Sequence, residues 1–483
     1  MNTFLRRSVC LVAAVYMSGQ LAFAATTGRI EVEPRSVWTF DSGSPIYGDS
    51  AVVADTIYTA NTGGQVYALA SHSGDVLWQY ETDGPVYGGV GKGEEGVYVL
   101  SDDGFTYKLN PATGALLWRA ETPNTLPRSP LLANDSSFDY RGATPIEKDG
   151  VVYVGAGNGV FYALNAATGA VIWDYQTDGA IRVDAAITDS YAIVGTLAGT
   201  LYCLDRLTGE PAWQYDIRTG LGDTPLYHSI NSPASVFNDT VYVGTRNTYL
   251  YALDLESGAV KWTYFYQSSW AESPISYFDD TIYVGSSFLR AQLAFDAEDG
   301  NLLWRHGRTL GLSYAGLVPT EDALYTGTVA VPGLQFDGFL TDGGLLKLDR
   351  LSGETEWFYP LGENLHLTEF GIISTPVLAD ERIYFGSLDG VYHAVEEIIH
   401  EFPILDFSVD RAELKPGEKT WLRWEVIDGH SVRLNGRKVP KRGKRLIRAI
   451  DDMTYTLRVK GRLEETQSIP VQVKSAGEIN IAK

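Results

Sequence analysis

Cysteine is nearly absent. The 483 residues hold two, Cys10 and Cys203. Cys203 lies in the apolar run Leu201-Tyr202-Cys203-Leu204 and reads as a buried, inert thiol. With no second Cys beyond the leader, an internal disulfide is excluded. Cys-x-x-Cys-His is missing too, which excludes a covalently attached c-type haem. Histidine is sparse, and His72, His228, His306, His366, His393, His400 and His430 show no metal-ligand spacing. There is no Gly-x-Ser-x-Gly elbow and no phosphate loop, so the common serine-hydrolase and nucleotide-binding chemistries have no foothold. No apolar run is long enough for a membrane helix. Positive charge is short: 38 Lys and Arg face 60 Asp and Glu, a net −22. From Phe402 onward the balance reverses, with 17 Lys and Arg against 11 Asp and Glu, so residues 1–401 carry −28. That acidic part argues against nucleic acid or an anionic membrane as its own partner.

What the chain has in abundance is Gly, Tyr and Trp in a repeating sentence. The type copy is Val152 to Trp173, VYVGAGNGVFYALNAATGAVIW. It reads as two short strands, a tight Thr168-Gly169 turn, and a third strand carrying Trp173. Aromatic and β-branched residues suit a pleated surface, and Gly supplies the turn angles. Further copies start at Ile57, Val97, Ala192, Val241, Ile282 and Leu324. Their turn glycines are Gly74, Gly114, Gly169, Gly209, Gly258, Gly300 and Gly353. Four residues after each stand Trp78, Trp118, Trp173, Trp213, Trp262, Trp304 and Trp357. The turns are 40 to 55 residues apart, the length of a four-stranded propeller blade. An eighth copy, Ile383 to Val395, lacks its Trp turn. Arg35 to Phe40, with Trp38, is a matching orphan strand at the other end. The expected fold is all-β: an eight-bladed β-propeller closed by the N-terminal strand over residues 25–401, the eight Trp residues docking blade on blade.

These units resemble the PQQ-like β-propeller repeats, with a Tyr-x-Gly strand and a Leu-Asp-x-x-Thr-Gly-x-x-x-Trp turn, over roughly residues 35–397. Two branches share the repeat: quinoprotein dehydrogenases, and the non-catalytic propeller subunit of the outer-membrane assembly machinery (BamB-like proteins). The motif alone does not choose between them. The resemblance to periplasmic quinoprotein alcohol dehydrogenases would often bring two adjacent Cys residues, which this chain lacks. The assembly subunit is a lipoprotein, whereas Cys10 does not follow the apolar core of the leader.

Residues 1–24 read as a signal peptide: Arg6 and Arg7, an apolar core from Val9 to Tyr16, and Ala22-Phe23-Ala24 for cleavage. The expected product is exported and soluble, in the periplasm or cell envelope. The register of the repeats puts Asp49, Asp184, Asn231 and Glu272 at the propeller axis, with Arg141, Arg182 and Trp270 two positions before axial places. Carboxylates, an amide, Arg and Trp are the residue types that a quinoprotein site uses for calcium and quinone, although no motif matches residue by residue. Polar rings in such channels also simply hold water. No cofactor or metal is required by the motifs; PQQ with calcium is what the resemblance would bring. Two long segments, Ala120 to Gly150 (with Asn134 to Tyr140) and Val331 to Asp342, interrupt the repeat.

Residues 402–475 form a second domain, followed by a tail at 476–483. Alternating short strands and an Asn435-Gly436 hairpin suggest a β-sandwich. Pro416-Gly417-Glu418, Leu422-Arg423-Trp424 and Thr454-Tyr455-Thr456-Leu457 make it similar to bacterial immunoglobulin-like modules. Arg437, Lys438, Lys441, Arg442, Lys444, Arg445 and Arg448 form a basic patch, either a solvated hairpin face or a contact for anionic lipid, glycan or the acidic propeller. Three functions are therefore open: a non-catalytic envelope scaffold for a protein partner, a divergent PQQ- and calcium-dependent dehydrogenase, and a glycan-associated binding protein.

Overall fold

The structure, a computed structural model, describes residues 30–124, 139–219, 228–266, 269–287, 289–306, 311–330, 343–361, 370–401, 404–426, 431–460 and 464–474. The leader, the 331–342 insertion, the 476–483 tail and residues 134–138 of the Asn134–Tyr140 stretch lie outside the described residues. The chain divides into two compact units, Pro34–Glu397 and one that takes the chain from Ile398 onward. No helix among the described residues is long and apolar enough to cross a membrane.

The larger unit is a β-propeller of four-stranded antiparallel sheets taken in chain order. In the sheet of the type copy, Ile146–Lys148, Val151–Gly155, Val160–Asn165 and Val171–Gln176 pair side by side. Eight such sheets lie among the described residues, and the one at Val318–Pro360 adds a short strand, Phe370–Gly371. One sheet is composite. Val377–Ala379, Arg382–Gly386 and Val391–Glu401 are completed by Ile30–Asp41 from the start of the chain. The middle strands are buried on both faces because a sheet stacks on each side, as at Val97–Leu100.

Each Trp closes the gap to the next sheet, not within its own. The indole N–H of Trp78 donates to Pro111 O at 2.9 Å, and that of Trp173 to Arg206 O at 3.1 Å. The ring then lies over the next turn glycine. Gly258 has φ of 68°, and a Cβ there would come within 2.7 Å of the Trp213 ring. Glycine is thus required twice, for the left-handed angle and for the close approach. Trp38 does the same for the composite sheet: it donates to Ser71 O at 2.9 Å, covers Gly74 and stacks on Tyr392 at 6.2 Å. Trp357 donates instead to the Glu397 carboxylate at 2.8 Å.

A shared irregularity sits just before seven of these Trp residues, Trp78 to Trp357. The pairing register slips between Ala68 and Leu69, and equivalently in the six sheets that follow. Each slip inserts one bulged residue in the outer strand: Leu77, Leu117, Ile172, Ala212, Lys261, Leu303 and Glu356. A bulge re-aims side chains. The neighbours Val76 and Leu77, Leu116 and Leu117, and Val171 and Ile172 are accordingly all exposed.

In the smaller unit, two sheets share one apolar core. Ile404–Val409, Lys419–Val426 and Arg442–Arg448 form the first. Glu413–Leu414, Glu464–Val473, Met453–Lys460, Ser431–Leu434 and Arg437–Lys438 form the second. Leu422, Trp424 and Ile447 from the first meet Val432, Leu457 and Val471 from the second. Asn435 and Gly436 both have positive φ, 47° and 77°, as a tight two-residue hairpin demands.

Candidate functional site at the propeller axis

Residues before the innermost strands of the first six sheets line one small cavity, and polar side chains converge there. Asp49 and Asp184 are the clearest pair. Asp184 Oδ1 accepts the Thr144 N–H at 2.6 Å, and Asp49 Oδ1 accepts the Thr375 N–H at 2.6 Å. Thr144 Oγ1 in turn accepts the Gly89 N–H at 2.9 Å, and Thr375 Oγ1 the Gly316 N–H at 3.3 Å. Each Asp-Thr-Gly chain ties three consecutive sheets. Burial raises both carboxyls above the usual range, and burial with the nearby Asp49 charge pushes Asp184 up to about 6.

Asp49, Arg141, Arg182 and Asp184 line one small cavity together with Tyr47 and Tyr87. Its volume is about 30 Å³, enough for one or two waters. Arg182 is 2% exposed and grips Asp139 through Nε and Nη2, at 2.7 and 2.9 Å. Arg141 Nη2 reaches Tyr314 O at 2.8 Å, and the Tyr140 and Tyr314 rings meet edge-on at 5.9 Å. Tyr140 and Arg141 lead into the third sheet and Tyr314 into the seventh, four sheets on, so this contact joins opposite sides of the ring.

Asn231, Trp270 and Glu272 do not line that cavity. Glu272 is fully buried and paired with Arg246, itself 1% exposed at the side chain. The Arg246 guanidinium lies over the Trp270 ring, 4.8 Å from its centroid. Burial first, and the Glu272 charge second, push the Tyr140 hydroxyl up to about 12. Sequence reasoning missed Arg246 and Asn124, whose Oδ1 accepts from Arg182 Nη1 and from the Gly157 N–H at 2.7 Å, and it noted Asp139 only as part of the Asn134–Tyr140 stretch. For Arg246 a signal existed: it follows Val243-Gly244-Thr245, where other copies carry Gly157, Leu197 or Ser287. Gly157 is informative as well, since a Cβ there would sit 2.6 Å from the Arg182 guanidinium. The seven residues of the basic patch, Arg437 to Arg448, are all exposed on the smaller unit.

The family profile described as "Outer membrane protein assembly factor BamB" matches residues 21–143, 107–264 and 198–398. The chain belongs to this family. BamB of Moraxella catarrhalis is similar in structure, with a TM-score of 0.57, 20% identity, and 75% of this chain and 98% of that one covered. Quinohemoprotein alcohol dehydrogenase of Comamonas testosteroni scores 0.57 at 15% identity, covering 75% of this chain and 76% of that one. A computationally designed protein, Ika8, also scores 0.57, at 14% identity with 74% and 98% covered. A search of curated proteins finds no match. The BamB-like chain thus has a propeller fold shared by assembly factors and by quinone-dependent dehydrogenases.

The axial residues do not fit the quinone and calcium of the dehydrogenase branch. A cavity of 30 Å³ is far below the roughly 300–1,000 Å³ of small-molecule pockets. Arg246 lies over Trp270 and holds the Glu272 carboxylate, so the Trp and the acid that the resemblance suggested for quinone and calcium are both engaged by one guanidinium. Among the described residues, no group of three or more His, Cys, Asp or Glu could hold a metal.

Proposed function

We propose that this BamB-like chain is a non-catalytic, exported scaffold of the bacterial cell envelope: an eight-bladed propeller, closed by its N-terminal strand, that docks a protein partner. The observation that carries this reading is the state of the axis. The candidate side chains are held by neighbours, Asp49 by Thr375, Asp184 by Thr144, Arg182 by Asp139 and Glu272 by Arg246, and the cavity between them is about 30 Å³. A rigid ring of that kind offers its outer surface instead. The bulges turn Val76, Leu77, Leu116, Leu117, Val171 and Ile172 of the first three sheets, and Leu302 and Leu303 of the sixth, to solvent, apolar pairs beside open strand edges that can take an added strand. The fourth and seventh sheets carry Pro211-Ala212 and Thr355-Glu356 there.

The immunoglobulin-like sandwich supplies a second contact in this account, its basic residues meeting an anionic lipid or glycan while the acidic propeller does not. Site-specific photo-crosslinking in living cells tests the scaffold. A crosslinker at position 77, 117 or 172 should trap one discrete envelope protein, and one at 212 or 356 should not. Oxidation of an alcohol or sugar by purified protein, with PQQ, calcium and an artificial acceptor, would overturn it.

A further inference from the structure

The outward face of the three-stranded sheet in the smaller unit has an ordered composition. Strand periodicity turns Lys419, Trp421, Arg423 and Glu425 outward from the middle strand, while Thr420, Leu422, Trp424 and Val426 go to the core. On the edge strand the outward residues are Arg442, Lys444, Leu446 and Arg448. The register sets them in facing pairs: Lys419 with Arg448, Trp421 with Leu446, Arg423 with Lys444, and Glu425 with Arg442. Two of the four pairs oppose like charges, which costs a sheet stability. Between them lies a solvent-facing apolar pair, Trp421 at 36% and Leu446 at 46% exposed. The Lys444 ammonium sits 5.2 Å from the Trp421 ring centroid.

Charges along an edge strand suffice to discourage sheet-to-sheet aggregation. They do not require a Trp and a Leu standing between them. The acids of this face, Asp406, Asp410 and Glu425, gather on the far strand and at one end, and Asp410 holds Arg423 through two bonds of 3.0 Å. The edge strand is left basic, with Arg445 exposed as well. Two residues beyond Arg448, Ile450 is 71% exposed.

We infer that this face, centred on Trp421 and Leu446 and rimmed by Lys419, Arg442, Lys444 and Arg448, docks on an anionic lipid bilayer surface. The inference rests on the reading of the smaller unit as a contact module and names its face and its partner. An indole is suited to the boundary between headgroups and acyl chains, a neighbouring Leu adds apolar area, and cations around both meet lipid phosphates. A soluble polyanion would be served by the cations alone.

The test is flotation of the mature full-length protein with vesicles. Binding is expected to vesicles of phosphatidylethanolamine with phosphatidylglycerol and not to phosphatidylcholine vesicles. Adding salt should weaken it, since exposed charges are screened. Lys444→Ala with Arg448→Ala should weaken it by roughly 25-fold, at about five-fold for each cation near the surface. Trp421→Ala should weaken it at low and at high salt, and Trp421→Tyr should restore most of it. All three positions are on the outward face, and an unchanged melting temperature checks that the variants fold. Three results overturn the inference. One is binding that survives Trp421→Ala and the double variant. The second is binding lost only on reversing Arg437, Lys438 and Lys441, which would keep the anionic-contact reading and move it to the hairpin. The third is capture of a soluble acidic polysaccharide with no vesicle binding.

Discussion

Asp184 is the residue whose chemistry is most open to measurement. Its carboxylate is buried yet hydrogen-bonded to the Thr144 N–H, and burial outweighs that bond, lifting it from 3.8 to about 6. Between those two pH values the folded chain retains a proton that the unfolded chain has released. The stability tied to this group is therefore highest below about pH 4 and is lost as pH rises through 6. Asp184→Asn keeps an oxygen for Thr144 and removes the buried charge. Urea unfolding between pH 4 and 8 should show the variant with a flatter profile and, at pH 7, an advantage of about 1–2 kcal/mol. A variant less stable than the parent at pH 7 would mean that the charge is held there by Arg141.

At the scale of elements, the sheets are joined by one repeated contact, an indole on the next turn glycine. The repeated Gly and Trp were plain in the sequence, and so was the four-stranded period. Which glycine each Trp covers was not legible, because the partner belongs to the following copy, 36 residues on for Trp78 and Gly114 and 51 for Trp118 and Gly169. The bulges were invisible for a similar reason: a slipped register exists only once two strands are paired. Trp38 makes the same contact from a strand that lies at the other end of the chain from its sheet. If the ring depends on that strand, Trp38→Ala should cost as much as Trp173→Ala, each about 3–5 kcal/mol. Chemical denaturation of the two variants side by side measures this. A Trp38→Ala cost below about 1 kcal/mol would show a ring that stands without its N-terminal strand.

For the whole molecule, the proposed scaffold role rests on the axis. The sequence register placed Asp49, Arg141, Arg182, Asp184, Asn231, Trp270 and Glu272 around the funnel, and the structure gathers the first four around one cavity. It could not show that Asn231, Trp270 and Glu272 lie outside that space. Nor could it show that Arg246, 26 residues before Glu272, would occupy both the carboxylate and the Trp270 face. Ion pairs between neighbouring sheets are formed in three dimensions by loops of unequal length, and no spacing in the chain announces them. Thermal unfolding of the protein without residues 1–24, with PQQ and calcium against calcium alone, addresses the central claim most directly. A ligand that binds only the folded state at 100 times its Kd would add about 2.7 kcal/mol. The expected result is no shift in Tm at saturating PQQ and calcium. An upward shift with both, absent with calcium alone, would contradict the account and make the axis a cofactor site.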